Sequence, residues 1–188
     1  MSTKKDATFN ATDRLDLALL ENSIHFLTGD ITEENVNAAI KWITYENLDI
    51  STTKVLTLYI NSQGGDLYQA FALIDIMRNS HHKIRTIGIG LVMSAAFLIF
   101  ASGAKGERYI ARNTGIMCHQ YSDGLEGKHH DIKAQMKEGE YCNDRMLSIL
   151  RAATNLPVAK IKSKLLPPSD VYLLATELVD LSVADHII

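Results

Sequence analysis

Ser94 stands at a corner of the chain. The apolar run Ile84 to Ile89 reads as a buried strand, Met93-Ser94-Ala95-Ala96 follows it, and a helix starts after Met93. A serine at a strand-to-helix turn exposes its hydroxyl. It also has a helix N-terminus behind it, where free N–H groups and the dipole can stabilise an oxyanion. Such a hydroxyl could attack a carbonyl, or it could simply cap the helix. The nucleophile elbow GxSxG uses the same device, but here Val92 and Ala96 occupy its glycine positions. A second corner, Asn61-Ser62-Gln63-Gly64-Gly65, follows the apolar run Val55 to Ile60. Its glycines could donate backbone N–H groups or receive an extended peptide, or could only form a tight turn. A nucleophilic serine also needs a base and an orienting acid, and seven histidines and 22 acidic residues offer more choices than spacing can resolve.

Other chemistry is easier to set aside. Gly88-Ile89-Gly90-Leu91-Val92-Met93 imitates a dinucleotide fingerprint, but Met93 replaces the third glycine, and no phosphate-binding GxxxxGK[ST] occurs. His129-His130, even with His119, lacks the spacing of a metal set and reads as a solvated loop. Cys118 and His119 would point to opposite faces of a strand, which makes Cys118 a core residue rather than half of a Cys/His dyad.

The elements that must hold these corners alternate. Strand Ser23 to Leu27 precedes a helix capped by Thr32, with Val36, Ile40 and Ile43 at helical spacing. Strand Val55–Ile60 precedes a helix carrying Leu67, Ala70, Phe71, Ile74 and Met77. Short strands fit Arg108 to Ile110 and Ile116 to His119. A long helix runs from about Asp131 to Ala153 despite Gly139, and Pro167-Pro168 precede a final helix–strand pair. Strands alternating with helices imply βαβ units and a mainly parallel sheet.

With 188 residues, 46% of them apolar and 22% charged, the chain makes one ordinary globular domain. A net charge of -3 disfavours nucleic acid as a partner. The uncharged run Thr86 to Ala104 barely reaches the roughly 20 residues of a membrane span. Its glycines mark a turn, so it reads as buried core rather than membrane. No secretory signal is visible, and two isolated cysteines suit a reducing compartment, most simply the cytoplasm. The first ten or so residues are polar and are expected to be disordered.

Four blocks then stand out together: Leu58-Tyr59-Ile60-Asn61-Ser62-Gln63-Gly64-Gly65, Met93-Ser94-Ala95, Ala101-Ser102-Gly103-Ala104-Lys105-Gly106 and Met117-Cys118-His119-Gln120. In this order and spacing they resemble the proteolytic subunit of the Clp protease, from about Ile24 to Ile188. The resemblance implies an α/β fold, a crotonase-like βαβ spiral with mainly parallel sheets and a protruding handle helix. It implies a divergent axial segment over 1–22, a peptidase domain over 23–188 and a handle over about 120–153. It further implies a serine endopeptidase cleaving unfolded proteins and peptides inside a homo-oligomer of two stacked heptameric rings, a tetradecamer, fed by an AAA+ unfoldase of the ClpX or ClpA type. ATP would belong to that partner, and no metal or bound cofactor is implied.

By position, Ser94 matches the family's nucleophile and His119 its general base. Asp170-Val171-Tyr172-Leu173-Leu174-Ala175-Thr176-Glu177 aligns without a gap to the family's D-x-x-[ML]-[ST]-A-x-E, which makes Asp170 the orienting carboxylate, ahead of Asp180 and Asp123. The N–H groups of Gly65 and Ala95 match the oxyanion hole. Substrate would lie beside Gly65, Asp66 and Leu67 on one side and Gln120, Tyr121 and Ser122 on the other. The chain departs from the family in five places: Gln63 for a proline, Ala95-Ala96 for Met-Gly, Ser169 for an arginine, two residues inserted near Pro167-Pro168, and an unfamiliar segment from Met1 to Leu20. The alternatives are a non-catalytic Clp-like scaffold or regulatory subunit, a crotonase-type acyl-CoA enzyme using the Gly65 corner, and a Ser94–Lys105 peptidase.

Overall fold

The computed structural model describes residues 10–188, so the disorder expected at the start of the chain falls largely outside the described residues. Asn10 and Asp13 close a reciprocal capping box that starts helix α1 (Ala11–Glu21). No helix was expected there. α1 buries none of its side chains and leaves Leu15, Leu17 and Leu20 exposed, so its cap rather than a packed face marks its start.

Strand β1 (Ile24–Thr28), helix α2 (Glu33–Glu46), strand β2 (Val55–Ser62), helix α3 (Leu67–Arg78), strand β3 (Lys83–Met93) and helix α4 (Ala95–Ala101) form successive βα units. Thr32 caps α2 as expected, and Asn35 returns the bond to its backbone N–H. Strands β4 (Arg108–Ile110) and β5 (Gly115–Cys118) follow, then the long helix α5 (His129–Thr154) and α6 (Val158–Lys164). Strand β6 (Val171–Leu173), helix α7 (Ala175–Asp180) and strand β7 (His186–Ile187) complete the described chain.

The sheet runs β1-β2-β3-β4-β7, every pair parallel, with β5 beside the far end of β3 and β6 antiparallel to β5. The mainly parallel α/β architecture is therefore present, consistent with the crotonase-like fold. β3 is longer than its sequence suggested because it serves two neighbours. Thr86–Gly88 pairs with β4, and Leu91–Met93 pairs with β5. The change of partner occurs at Gly90, whose φ is +60°, and Asn61 Oδ1 fills the adjoining space and accepts the Leu91 N–H at 3.0 Å.

The uncharged run Thr86 to Ala104 thus becomes the body of β3 and the fully buried α4, with Phe97 and Phe100 at 0% exposure. A helix that is apolar on every side belongs in a core. No helix among the described residues is long and apolar enough to cross a membrane.

α5 has 26 residues, about 39 Å at 1.5 Å per residue. Its buried residues begin only at Cys142 and continue through Met146, Ile149, Leu150 and Ala153, so the first half stands away from the core. His129 and His130, expected in a loop, form the first turn of this helix instead. Their polarity hid the helix, which is anchored by its apolar second half. Beneath that anchored end, Arg108 is buried and grips Asp185 with two bonds of 2.9 and 2.6 Å, while its third nitrogen donates to the Ala153 carbonyl at 3.1 Å. Burial alone would raise the Asp185 pKa, but the Arg108 bonds and charge outweigh it and hold the carboxyl below its usual range.

Candidate active site

Three parallel strands deliver their C-terminal ends to one edge of the sheet, where open α/β sheets place their sites. β2 delivers the Gly64–Gly65 corner, β3 delivers Ser94, and β5 delivers His119. The Met93↔Met117 register fixes the last two, and the Ser94 N–H donates to the Met117 carbonyl at 2.9 Å. Ser94 has φ +52° and ψ -122°, a strained conformation for a residue with a Cβ. Its side chain makes no capping bond to α4. Instead, Ser94 Oγ lies 2.7 Å from His119 Nε2. The hydroxyl thus faces a histidine instead of capping the helix.

The glycine corner is shaped by what surrounds it. A Cβ on Gly64 would lie 2.6 Å from Ser94 Cβ and one on Gly65 would lie 2.5 Å from the Ile31 carbonyl oxygen, with φ at +107° and +145°. The Gly64 carbonyl accepts from the Ile31 N–H and the Asp66 N–H donates to the Ile31 carbonyl, at 2.8 and 2.9 Å. These bonds strap the corner down and leave the Gly65 N–H without an acceptor among the described residues. The Ala95 N–H, at the first position of α4, is likewise free. Gln63 anchors the same loop by donating to Asp30 Oδ1 at 2.7 Å.

A cleft of about 370 Å³ opens over the pair. Gly65, Asp66 and Leu67 line one wall and Gln120, Tyr121 and Ser122 the other, with Ser94, Ala95 and His119 between them. Every predicted site residue except Asp170 lines this cleft. Asp170 is exposed, and no hydrogen bond among the described residues joins it to His119. Its position is nevertheless informative. β6 runs antiparallel to β5 with Cys118 opposite Val171, so continuing the register by one residue sets Asp170 opposite His119. Asp123 lines the cleft but accepts from Tyr121 Oη at 2.8 Å. That bond, first among several causes, pushes the Tyr121 phenol up to about 12. Asp180 ends α7. Lys105 lies beyond the far end of α4 from Ser94.

Cys118 is buried as expected, and desolvation pushes its thiol up to about 12, as befits an inert core cysteine. Among the described residues no three His, Cys, Asp or Glu side chains come together to hold a metal ion.

Sequence reasoning missed Tyr68, Met146 and Asn143. The first two line the cleft, and Asn143 Oδ1 accepts the Tyr121 N–H at 2.9 Å. Met146 lies within the long helix expected from about Asp131 to Ala153, where nothing local marks it as a cleft residue. The other two touch partners more than twenty residues away, which no local pattern encodes.

Compared with known protein families, residues 7–188 match the Clp protease family model, essentially the whole chain.

Proposed function

This chain belongs to the Clp protease family and is a Clp-type peptidase, and from that premise we propose that it is a serine endopeptidase of unfolded chains and peptides. The observation that carries the reading is the 2.7 Å contact between Ser94 Oγ and His119 Nε2 inside an open cleft. In the proposed mechanism Ser94 attacks the peptide carbonyl while His119 takes the hydroxyl proton and then gives it to the leaving amine. The N–H groups of Gly65 and Ala95 hold the oxyanion. Water, deprotonated by His119, releases the acyl group from Ser94. Asp170 orients the imidazole, a role supported by the register that sets it opposite His119. Substrate lies extended between the Gly65–Leu67 and Gln120–Ser122 walls, held chiefly through its backbone.

Family members generally form oligomers. We propose a homo-oligomer of two stacked heptameric rings, with the exposed half of α5 as the handle between rings and an ATP-driven AAA+ unfoldase as partner. Ser94→Ala tests the chemistry: peptide hydrolysis is lost while the assembly keeps its mass in light scattering. Hydrolysis that survives the substitution refutes the reading.

One observation favours a second reading. Asp170 is exposed and unbonded to His119, as a scaffold subunit without peptidase activity would allow. A serine-directed fluorophosphonate separates the two, since only a working nucleophile is labelled at Ser94.

A further inference from the structure

Helix α5 contributes Met146 to the lining of the cleft, and its neighbouring residues bond to both side walls. On the His119 side, the Tyr121 N–H donates to Asn143 Oδ1 at 2.9 Å, while Asn143 Nδ2 donates to the Gly139 carbonyl at 3.1 Å. On the opposite side stands Tyr68, in the first turn of α3 and three residues beyond Gly65. Its phenol donates to the Glu138 carboxylate on α5. Arg145, two turns further along α5, lies 3.6 Å from Glu138 and holds its guanidinium 5.8 Å over the Tyr68 ring and 5.6 Å over the Phe71 ring. Cys142 Sγ lies between them, 3.8 Å from both the Tyr68 and Glu138 oxygens.

Glu138 sits four residues before the first buried residue of α5, at the point where the helix leaves the core. The other hydrogen bond from α3 to α5 among the described residues, Arg78 to the Ile149 carbonyl at 3.4 Å, lies at the opposite end of α3. The Tyr68 hydroxyl is therefore the polar link between the glycine corner's helix and the base of the protruding half. Donation to Glu138, first among the causes, pushes the Tyr68 phenol well above its usual range, which keeps its proton available for this bond.

We infer that Tyr68 and Glu138 are a positioning pair that sets the Gly65 corner relative to Ser94 according to where the exposed half of α5 lies. The inference rests on the peptidase reading above for its consequence in catalysis, and on the hydrogen bond alone for its mechanics. Tyr68 lines the cleft without touching Ser94 or His119 by any hydrogen bond, so its effect passes through the first turn of α3.

The test compares Tyr68→Phe, Glu138→Ala, Glu138→Gln and the double variant Tyr68→Phe/Glu138→Ala in peptide hydrolysis, with Ser94→Ala as control. Removing either partner lowers kcat on the order of tenfold with KM nearly unchanged. Glu138→Gln, which keeps an acceptor, recovers most of the rate, and the double variant is no worse than either single one. A merely structural contact would lower the melting temperature and leave kcat unchanged. Tyr68→Phe at parental kcat, in a protein whose hydrolysis depends on Ser94, overturns the pair and leaves the peptidase reading intact. If the parent shows no Ser94-dependent hydrolysis, that reading fails, and amide exchange still decides the pair. Exchange over 67–70 then quickens in Tyr68→Phe while 149–153 stays unchanged, and equal exchange at 67–70 overturns it.

Discussion

The two halves of the candidate site are built from different material. Ser94 and His119 end strands in a paired parallel sheet, backed by the fully buried α4, and their side chains already meet at 2.7 Å. Asp170 precedes a three-residue antiparallel strand, carries an exposed side chain and makes no bond to His119. The difference teaches where rigidity comes from. Strands paired on both sides with a packed helix behind them fix a side chain, whereas a short strand paired on one side fixes only a register. Ser94 and His119 are thus set by the core, and Asp170 depends on how β6 is held.

Substitutions can break or sharpen this contrast. The largest effects belong to the core half: Ser94→Ala or His119→Ala each lowers kcat roughly 10⁶-fold in a peptide assay. Asp170→Asn follows with a loss of roughly 10⁴-fold, because an orienting carboxylate costs less than the groups it orients. A loss equal to that of His119→Ala would erase the contrast, and an unchanged rate would remove Asp170 from the mechanism. Gly64→Ala comes next. Its Cβ would lie 2.6 Å from Ser94 Cβ, and the displaced corner costs about 10²-fold in kcat, with a lowered melting temperature. A parental rate would show that the corner yields without disturbing Ser94.

The smallest effect on chemistry comes from Asp185→Asn, far from the cleft. It leaves kcat unchanged but destabilises the fold by about 3 kcal/mol, since Arg108 stays buried without its counter-charge. The folded-state pKa of Asp185 lies below its unfolded value. Its stabilisation is therefore complete above about pH 5 and is lost as pH falls through the folded value. The variant should lose this part of the acid limb in a stability–pH profile, and an identical limb would show that the pair carries no linkage.

Much of the core half was legible in the residues. An apolar strand, a sharp turn and an apolar helix announce Ser94, and alternation along Ile116 to Cys118 predicts that Cys118 faces inward. That His119 rather than another histidine meets Ser94 was not readable from spacing, because it depends on β5 pairing with the last third of β3. The family blocks supplied it. Asp170 was named by an ungapped motif alone, and its exposure could not be foreseen, since burial there depends on what covers β6. The first turn of α5 was hidden because it exposes polar surface and lacks the apolar period that betrays a packed helix, and α1 carries leucines but buries none of them. The Tyr68–Glu138 link joins residues 70 apart and leaves no local trace at all.

The double use of β3 also has a consequence in time. Ser94 is made 25 residues before His119, and ribosomes add about 5–20 residues per second. Ser94 and His119 cannot meet until β5 has been synthesised and laid beside Leu91–Met93, and the Asp170 register cannot exist until β6 follows. A chain still emerging therefore carries Ser94 without His119 beside it, and the two side chains come together only as the sheet closes.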